Sequence, residues 1–207
     1  MPETTWPVYN NPKVIVVGTT PDYIDWIRSR CPGRALFLTD PSVREGAREE
    51  RPGPGEEIPA DLADYPGALR AVKRHLRREG LRADGIMAYD CESMELASFL
   101  ARAFRLPYPS IEGIRNCRDK YRCKTLWHQR GIPTPRAGLV RSVGDLIGFL
   151  RIVKGPCVAK PVNGSGSELV FRFDQEGEAG DVFQEIMGGL QERQDRRLYA
   201  CLLYTSP

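Results

Sequence analysis

The chain has 207 residues, 41% of them apolar and 28% charged, with a formal net charge of +3. That composition is ordinary for a globular protein with one large domain or two small ones, and the charge is too small to argue for nucleic-acid binding. No segment reaches the roughly 18 apolar residues of a membrane span, no export signal is visible at the N-terminus, and the six cysteines form no C-x-x-C pair, so reduced thiols and a cytoplasmic location are expected rather than disulfides or a zinc site.

Residues 1–12 read as an irregular arm. The run Val14-Ile15-Val16-Val17 is apolar and β-branched throughout, which suits a strand buried on both faces of a parallel sheet. Thr19 or Thr20 can cap a helix over 22–30, with Pro21 near its first turn. Pro32-Gly33 ends that helix, and Ala35-Leu36-Phe37-Leu38 is the second strand. Residues 40–57, rich in Arg, Glu, Gly and Pro, predict an exposed loop holding at most a short mobile helix, with a short strand near Ile58. Leu69, Val72, Lys73 and Leu76 have helical spacing over 67–79, and the arginines of 70–82 mark a solvated helix face. Ile86-Met87-Ala88-Tyr89 is the next buried strand, closed by Asp90. Met94, Leu96, Phe99, Leu100 and Ala103 then line an amphipathic helix over 92–104. This alternation is the signature of a doubly wound α/β layer. The first glycine turn lacks G-x-G-x-x-G, so no NAD site is expected there.

Leu106-Pro107-Tyr108-Pro109-Ser110 punctuates the chain, and Ser110 can cap a short helix from Ile111. A helix over 119–129 opens with Asp119-Lys120, turns Leu126 and Trp127 inward and stops at Gly131. A strand over 136–140 and an amphipathic helix over 142–153 follow, the latter carrying Val143, Leu146, Ile147 and Leu150. Residues 155–173 then form the stretch with the most chemistry. An apolar run ends at Lys160, the loop Asn163-Gly164-Ser165-Gly166-Ser167 follows, and Leu169-Val170-Phe171-Arg172-Phe173 resumes a strand pattern. Two strands around a short glycine-containing loop predict a β-hairpin. Gly164 and Gly166 let the backbone turn and approach a ligand, successive N–H groups make a concave anion site, and Lys160 adds positive charge beside it. The alternative is a plain turn with a solvated lysine. Neither G-x-x-x-x-G-K-[ST] nor the dinucleotide fingerprint is present, so an anion bound here lies under a hairpin flap. Residues 180–194 are the last helical pattern. Residues 201–207, Cys-Leu-Leu-Tyr-Thr-Ser-Pro, have no cap, turn logic or partner and resemble a translated sequencing-adaptor tail. They are expected to be foreign, with few contacts and no place in the core, and the natural protein to be longer.

Four pieces in this order resemble the ATP-grasp superfamily over roughly residues 13–173. They are the α/β layer ending in Tyr89-Asp90-Cys91-Glu92; Arg105-Leu106-Pro107-Tyr108-Pro109-Ser110; Arg118-Asp119-Lys120-Tyr121-Arg122 with Leu126 and Gly131-Ile132-Pro133-Thr134-Pro135; and the hairpin with Lys160-Pro161 and its Gly/Ser loop. The resemblance implies an α/β fold: a Rossmann-like parallel sheet with flanking helices over 13–115, then a partial α+β ATP-grasp subdomain over 116–200. It implies that Lys120 and Lys160 reach the phosphates of ATP, and that Asn163, Gly164, Ser165, Gly166 and Ser167 fold over them. The implied reaction joins a small carboxylate to an amine through an acyl phosphate, with Mg²⁺, and rests on positioning and electrostatic stabilisation. The Mg²⁺ ligands and the adenine hinge are expected downstream of residue 207, which predicts that this chain alone is inactive. Asp119 is expected to cap its helix, and Asp90 and Glu92 to cap theirs rather than touch substrate. The competing expectation is a nucleotide-binding regulatory or scaffold module without ligase turnover.

Overall fold

The structure, a computed structural model, describes residues 12–45, 47–164, 166–192 and 203–206. Two units make up the chain, residues 1–111 and 112–207. In the first, β1 (Pro12–Val17), α1 (Pro21–Arg30), β2 (Ala35–Thr39), β3 (Glu57–Pro59), α2 (Tyr65–Arg78), β4 (Arg82–Ala88) and α3 (Met94–Phe104) alternate along the sequence. The strands form a parallel sheet in the order β3-β2-β1-β4. Strand side chains alternate between faces. Ile15, Val17, Leu36 and Leu38 therefore pack with Val72, Leu96 and Leu100 of α2 and α3, while Val16, Ala35 and Phe37 pack with Ile24 and Ile27 of α1. Helices on both faces explain why β1 and β2 are so apolar, as the doubly wound reading requires. Each fully buried Leu, Ile or Phe contributes about 1.5–3 kcal/mol.

Three local expectations need correction. β4 is an edge strand, so Met87 is 39% exposed and only Ala83 and Ile86 of that strand are buried. Lys73 does not share the inward stripe of α2, which consists of Ala68, Val72, His75 and Leu76. Thr20 stands at the N-cap of α1, but its hydroxyl donates to the Asp22 carboxylate and leaves the helix N–H groups without a side-chain cap. The short helix expected within 40–57 is a 3₁₀ turn, Pro41–Arg44.

The second unit runs through α4 (Ile111–Arg118), α5 (Lys120–Gln129), β5 (Gly138–Val140), α6 (Val143–Val153), β6 (Cys157–Pro161), β7 (Phe171–Phe173), α7 (Ala179–Glu192) and β8 (Leu203–Ser206). Its sheet is antiparallel, in the order β5-β8-β6-β7. Leu146 and Leu150 of α6 and Ile186 of α7 pack with Cys157, Ala159 and Phe173 from the sheet. A capping box starts α6: Ser142 Oγ accepts the Asp145 N–H, and the Asp145 carboxylate accepts the N–H of Ser142.

Two readings of this unit change. No residue of α5 is fully buried, and Trp127, expected to face inward, is 45% exposed. Residues 203–206, expected to find no partner, pair on both sides as β8, with Leu139 opposite Tyr204 and Ala159 opposite Thr205. Strand pairing uses backbone N–H and C=O groups, so a segment without cap or turn signals can still fill a slot between two strands. Residues 1–11, 193–202 and 207 lie outside the described residues, and so do Gly46 and Ser165.

Candidate functional site

The predicted hairpin is present, but its returning strand is shorter than expected: β7 covers only Phe171–Phe173, and Leu169, read as part of it, lies in the loop with φ +54°, a left-handed backbone that cannot continue a ladder. β6 and β7 pair antiparallel, with Cys157 opposite Phe173 and Ala159 opposite Phe171. Along β6 the burial alternates: Cys157, Ala159 and Pro161 are buried, while Val158 and Lys160 are half-buried. Because Cys157 and Ala159 belong to the core beneath α6 and α7, the period of two places Lys160 on the opposite face of the sheet.

Asp119 positions the second lysine. Its carboxylate accepts the Arg122 N–H at 2.8 Å and caps α5, which fixes Lys120 as the first residue of that helix. The Lys120 N–H donates to Val162 O at 3.1 Å, tying the start of α5 to the exit of β6. The Lys120 ammonium donates to Gly164 O at 3.0 Å and to Val162 O at 3.4 Å. One predicted site lysine is thus bonded to the predicted loop, across 44 residues of sequence.

Burial, and then the charges of Lys160 and Arg118, pull the Lys120 pKa below its ordinary value. Lys124, one turn along α5, is lowered in the same way, by burial and then by Lys160. The three lysines therefore form one cluster. Lys124 is the member that sequence reasoning missed, although its i, i+4 spacing from Lys120 placed both on one helix face. Lys124 also lines a groove of about 590 Å³ between α5, the approach to β5, and Phe149 and Ile152 of α6.

The loop itself is built for close backbone approach. Gly164 has φ +147°, Gly166 φ +67° and Ser167 φ +59°. Gly164 is half-buried, whereas Gly166 and Ser167 are exposed. The Oδ1 of Asn163 is buried without a hydrogen-bond partner among the described residues. Rotating that amide by half a turn would present two N–H donors instead. Lysine ammoniums, turn N–H groups and a reversible amide form a donor-rich set that fits a phosphate chain.

The Asp90 carboxylate of the first unit has local work. Asp90 Oδ1 accepts the Ser93 N–H at 2.6 Å, at the N-cap of α3. Asp90 also adds to burial in raising the Tyr108 pKa. Among the described residues no group of three or more His, Cys, Asp or Glu side chains is placed to hold a metal ion.

These features define an α/β protein in which a parallel, helix-flanked layer precedes an antiparallel unit carrying a lysine-lined hairpin. No family model matches the chain. Over 108 residues, 51% of this chain and 27% of the other, it is 32% identical to the N5-carboxyaminoimidazole ribonucleotide synthase of Pseudomonas aeruginosa. It superposes on the L-amino acid ligase of Bacillus licheniformis with a TM-score of 0.67 and 20% identity, over 95% of this chain and 44% of that one. A carboxyaminoimidazole ribonucleotide synthase from Aspergillus clavatus, solved in complex with ATP, gives a TM-score of 0.61 and 15% identity, over 95% and 47%. The chain spans less than half the length of each of these proteins. Its fold is shared with that L-amino acid ligase and with that ribonucleotide synthase.

Proposed function

We propose that this chain is the phosphate-binding portion of an ATP-dependent carboxylate–amine ligase. The observation that carries the reading is the bond from the Lys120 ammonium to Gly164 O, beside a Lys160 close enough to depress two neighbouring lysines. Gathering like charges is unfavourable by itself, and a polyanion reverses the sign. Depressed lysines beside an N–H-rich turn therefore mark a functional site better than a structural one.

In this reading Lys120 and Lys160 hold the phosphates as point charges. The loop Asn163, Gly164, Ser165, Gly166 and Ser167 supplies backbone N–H and hydroxyl donors and keeps water from the reacting atoms. A phosphate that takes the Lys120 ammonium takes it from Gly164 O, so binding frees the near end of the loop to move. ATP would supply the γ-phosphoryl group that activates a carboxylate for attack by an amine, and Mg²⁺ would bridge the phosphate oxygens. Lys124 adds positive potential one turn away. We place the protein in the cytoplasm, where the free thiols Cys31, Cys91, Cys117, Cys123 and Cys157 stay reduced. Titration of the chain with Mg·ATP, followed by calorimetry, tests the reading. Weak binding is expected, on the order of 1 mM, and Lys160→Ala should abolish it. Heats that survive Lys160→Ala unchanged would refute the phosphate role.

A further inference from the structure

Two adjacent glycines, Gly188 and Gly189, sit in the last turns of α7. Glycine in a helix interior is unfavourable relative to alanine, so each position calls for a reason. A Cβ added at Gly188 would meet nothing within 4 Å. A Cβ at Gly189 would lie 2.4 Å from Leu169 Cδ2 and 3.2 Å from Cδ1. Only the second glycine makes room for a neighbour, and that neighbour belongs to the hairpin.

Leu169 is an unusual residue to find there. Its φ is +54°, a left-handed conformation that a side chain normally opposes. Such a backbone persists where the surroundings hold it. The leucine side chain packs against the core of the second unit and lines a groove of about 500 Å³ along α7. At the opposite end of the loop the Lys120 ammonium holds Gly164 O at 3.0 Å. The loop is thus pinned twice: by a charge at Gly164, which a phosphate could displace, and by an apolar seat at Leu169, which it could not.

We propose that Gly189 is a positioning residue for the phosphate loop. By lacking a side chain it seats Leu169, and the seat fixes the arm from which Gly164, Gly166 and Ser167 swing. This inference rests on the phosphate reading of the hairpin. Gly188 supplies the control, because Gly188→Ala and Gly189→Ala make the same chemical change one residue apart in one helix.

The test compares the two variants in the chain by amide chemical shifts and by titration with Mg·ATP. Gly188→Ala should leave the Gly164, Gly166 and Ser167 amides in place. Gly189→Ala should move them and weaken Mg·ATP on the order of fivefold or more, the lower end of ordinary coupling between sites. Trimming the leucine removes the clash, so Leu169→Ala/Gly189→Ala should match Leu169→Ala alone, the non-additivity expected of residues in contact. Loop amides that respond equally to both glycine variants, or equal Mg·ATP affinities, would overturn the proposal. If Mg·ATP fails to shift the loop of the unmodified chain while Gly189→Ala still displaces it, the seat stands and the phosphate reading falls.

Discussion

Replacing Lys120 by methionine separates a structural lysine from a binding one. Methionine keeps an unbranched chain of similar length and removes the charge. The folded chain loses the ammonium bonds to Gly164 O at 3.0 Å and Val162 O at 3.4 Å. A hydrogen bond from a charged donor is worth about 1.5–3 kcal/mol, but Lys120 is only half-buried, so solvent screening brings the loss towards about 1 kcal/mol. Against that stands relief of the repulsion from Lys160 and Arg118 that depresses the Lys120 pKa. The two effects oppose each other, and the net change in unfolding free energy should be no more than about 1 kcal/mol. Phosphate binding is compensated less, because the ammonium trades the neutral Gly164 O for a charged oxygen that holds it more strongly. Losing one charge-assisted contact of about 1.5–3 kcal/mol weakens affinity roughly 10- to 150-fold, which moves a weak nucleotide site beyond saturation. Urea denaturation gives the first quantity, and the shift of the Gly164 amide with added Mg·ATP gives the second. A variant that unfolds several kcal/mol more easily, or binds Mg·ATP as the unmodified chain does, would refute the argument.

Alkaline titration should show the lysine cluster. Lys120 and Lys124 release their protons at lower pH in the folded chain than the ordinary 10.5, so between the folded and unfolded values the unfolded state binds more protons. Stability should then rise with pH through the window just below 10.5, and Lys160→Met should flatten that rise, as urea midpoints across the window would show. Ser142→Ala breaks the capping box of α6 and should cost about 1 kcal/mol in the same assay. Leu146→Ala empties a fully buried core position and should cost about 2–5 kcal/mol, with loss of hydrogen-exchange protection confined to the second unit. Deleting residues 203–207 removes the strand between β5 and β6; amides of Val140 and Val158 should exchange faster while those of β1 and β2 do not change.

The parallel layer was legible because its information is local. Runs such as Val14 to Val17 and Ala35 to Leu38 are apolar at every position, and only burial on both sheet faces uses such a run. The hairpin was legible for a similar reason, since two strand patterns flank Gly164 and Gly166. Edges were harder. Met87 belongs to a run as apolar as the others, and only its place at the rim of the sheet exposes it. Trp127 lies on a helix whose partner faces are not encoded within its own ten residues. The backbone of 203–206 paired where sequence logic saw no partner, because a ladder hardly reads side chains. The contact between Lys120 and Gly164 joins segments 44 residues apart, and the Leu169 seat depends on a missing side chain in another element. Neither leaves a periodic trace.

The central claim is that Lys120, Lys160 and the loop after β6 hold the phosphates of a nucleotide. It is tested most directly by following the side-chain nitrogens of Lys120 and Lys160 and the amides of Gly164, Gly166 and Ser167 while the chain is titrated in parallel with Mg·ATP, tripolyphosphate and adenosine. The account predicts that ATP and tripolyphosphate move these five signals together, with the Lys120 ammonium leaving Gly164 O, and that adenosine does not. Shifts produced by adenosine but not by tripolyphosphate, or phosphate shifts confined to the first unit, would contradict it.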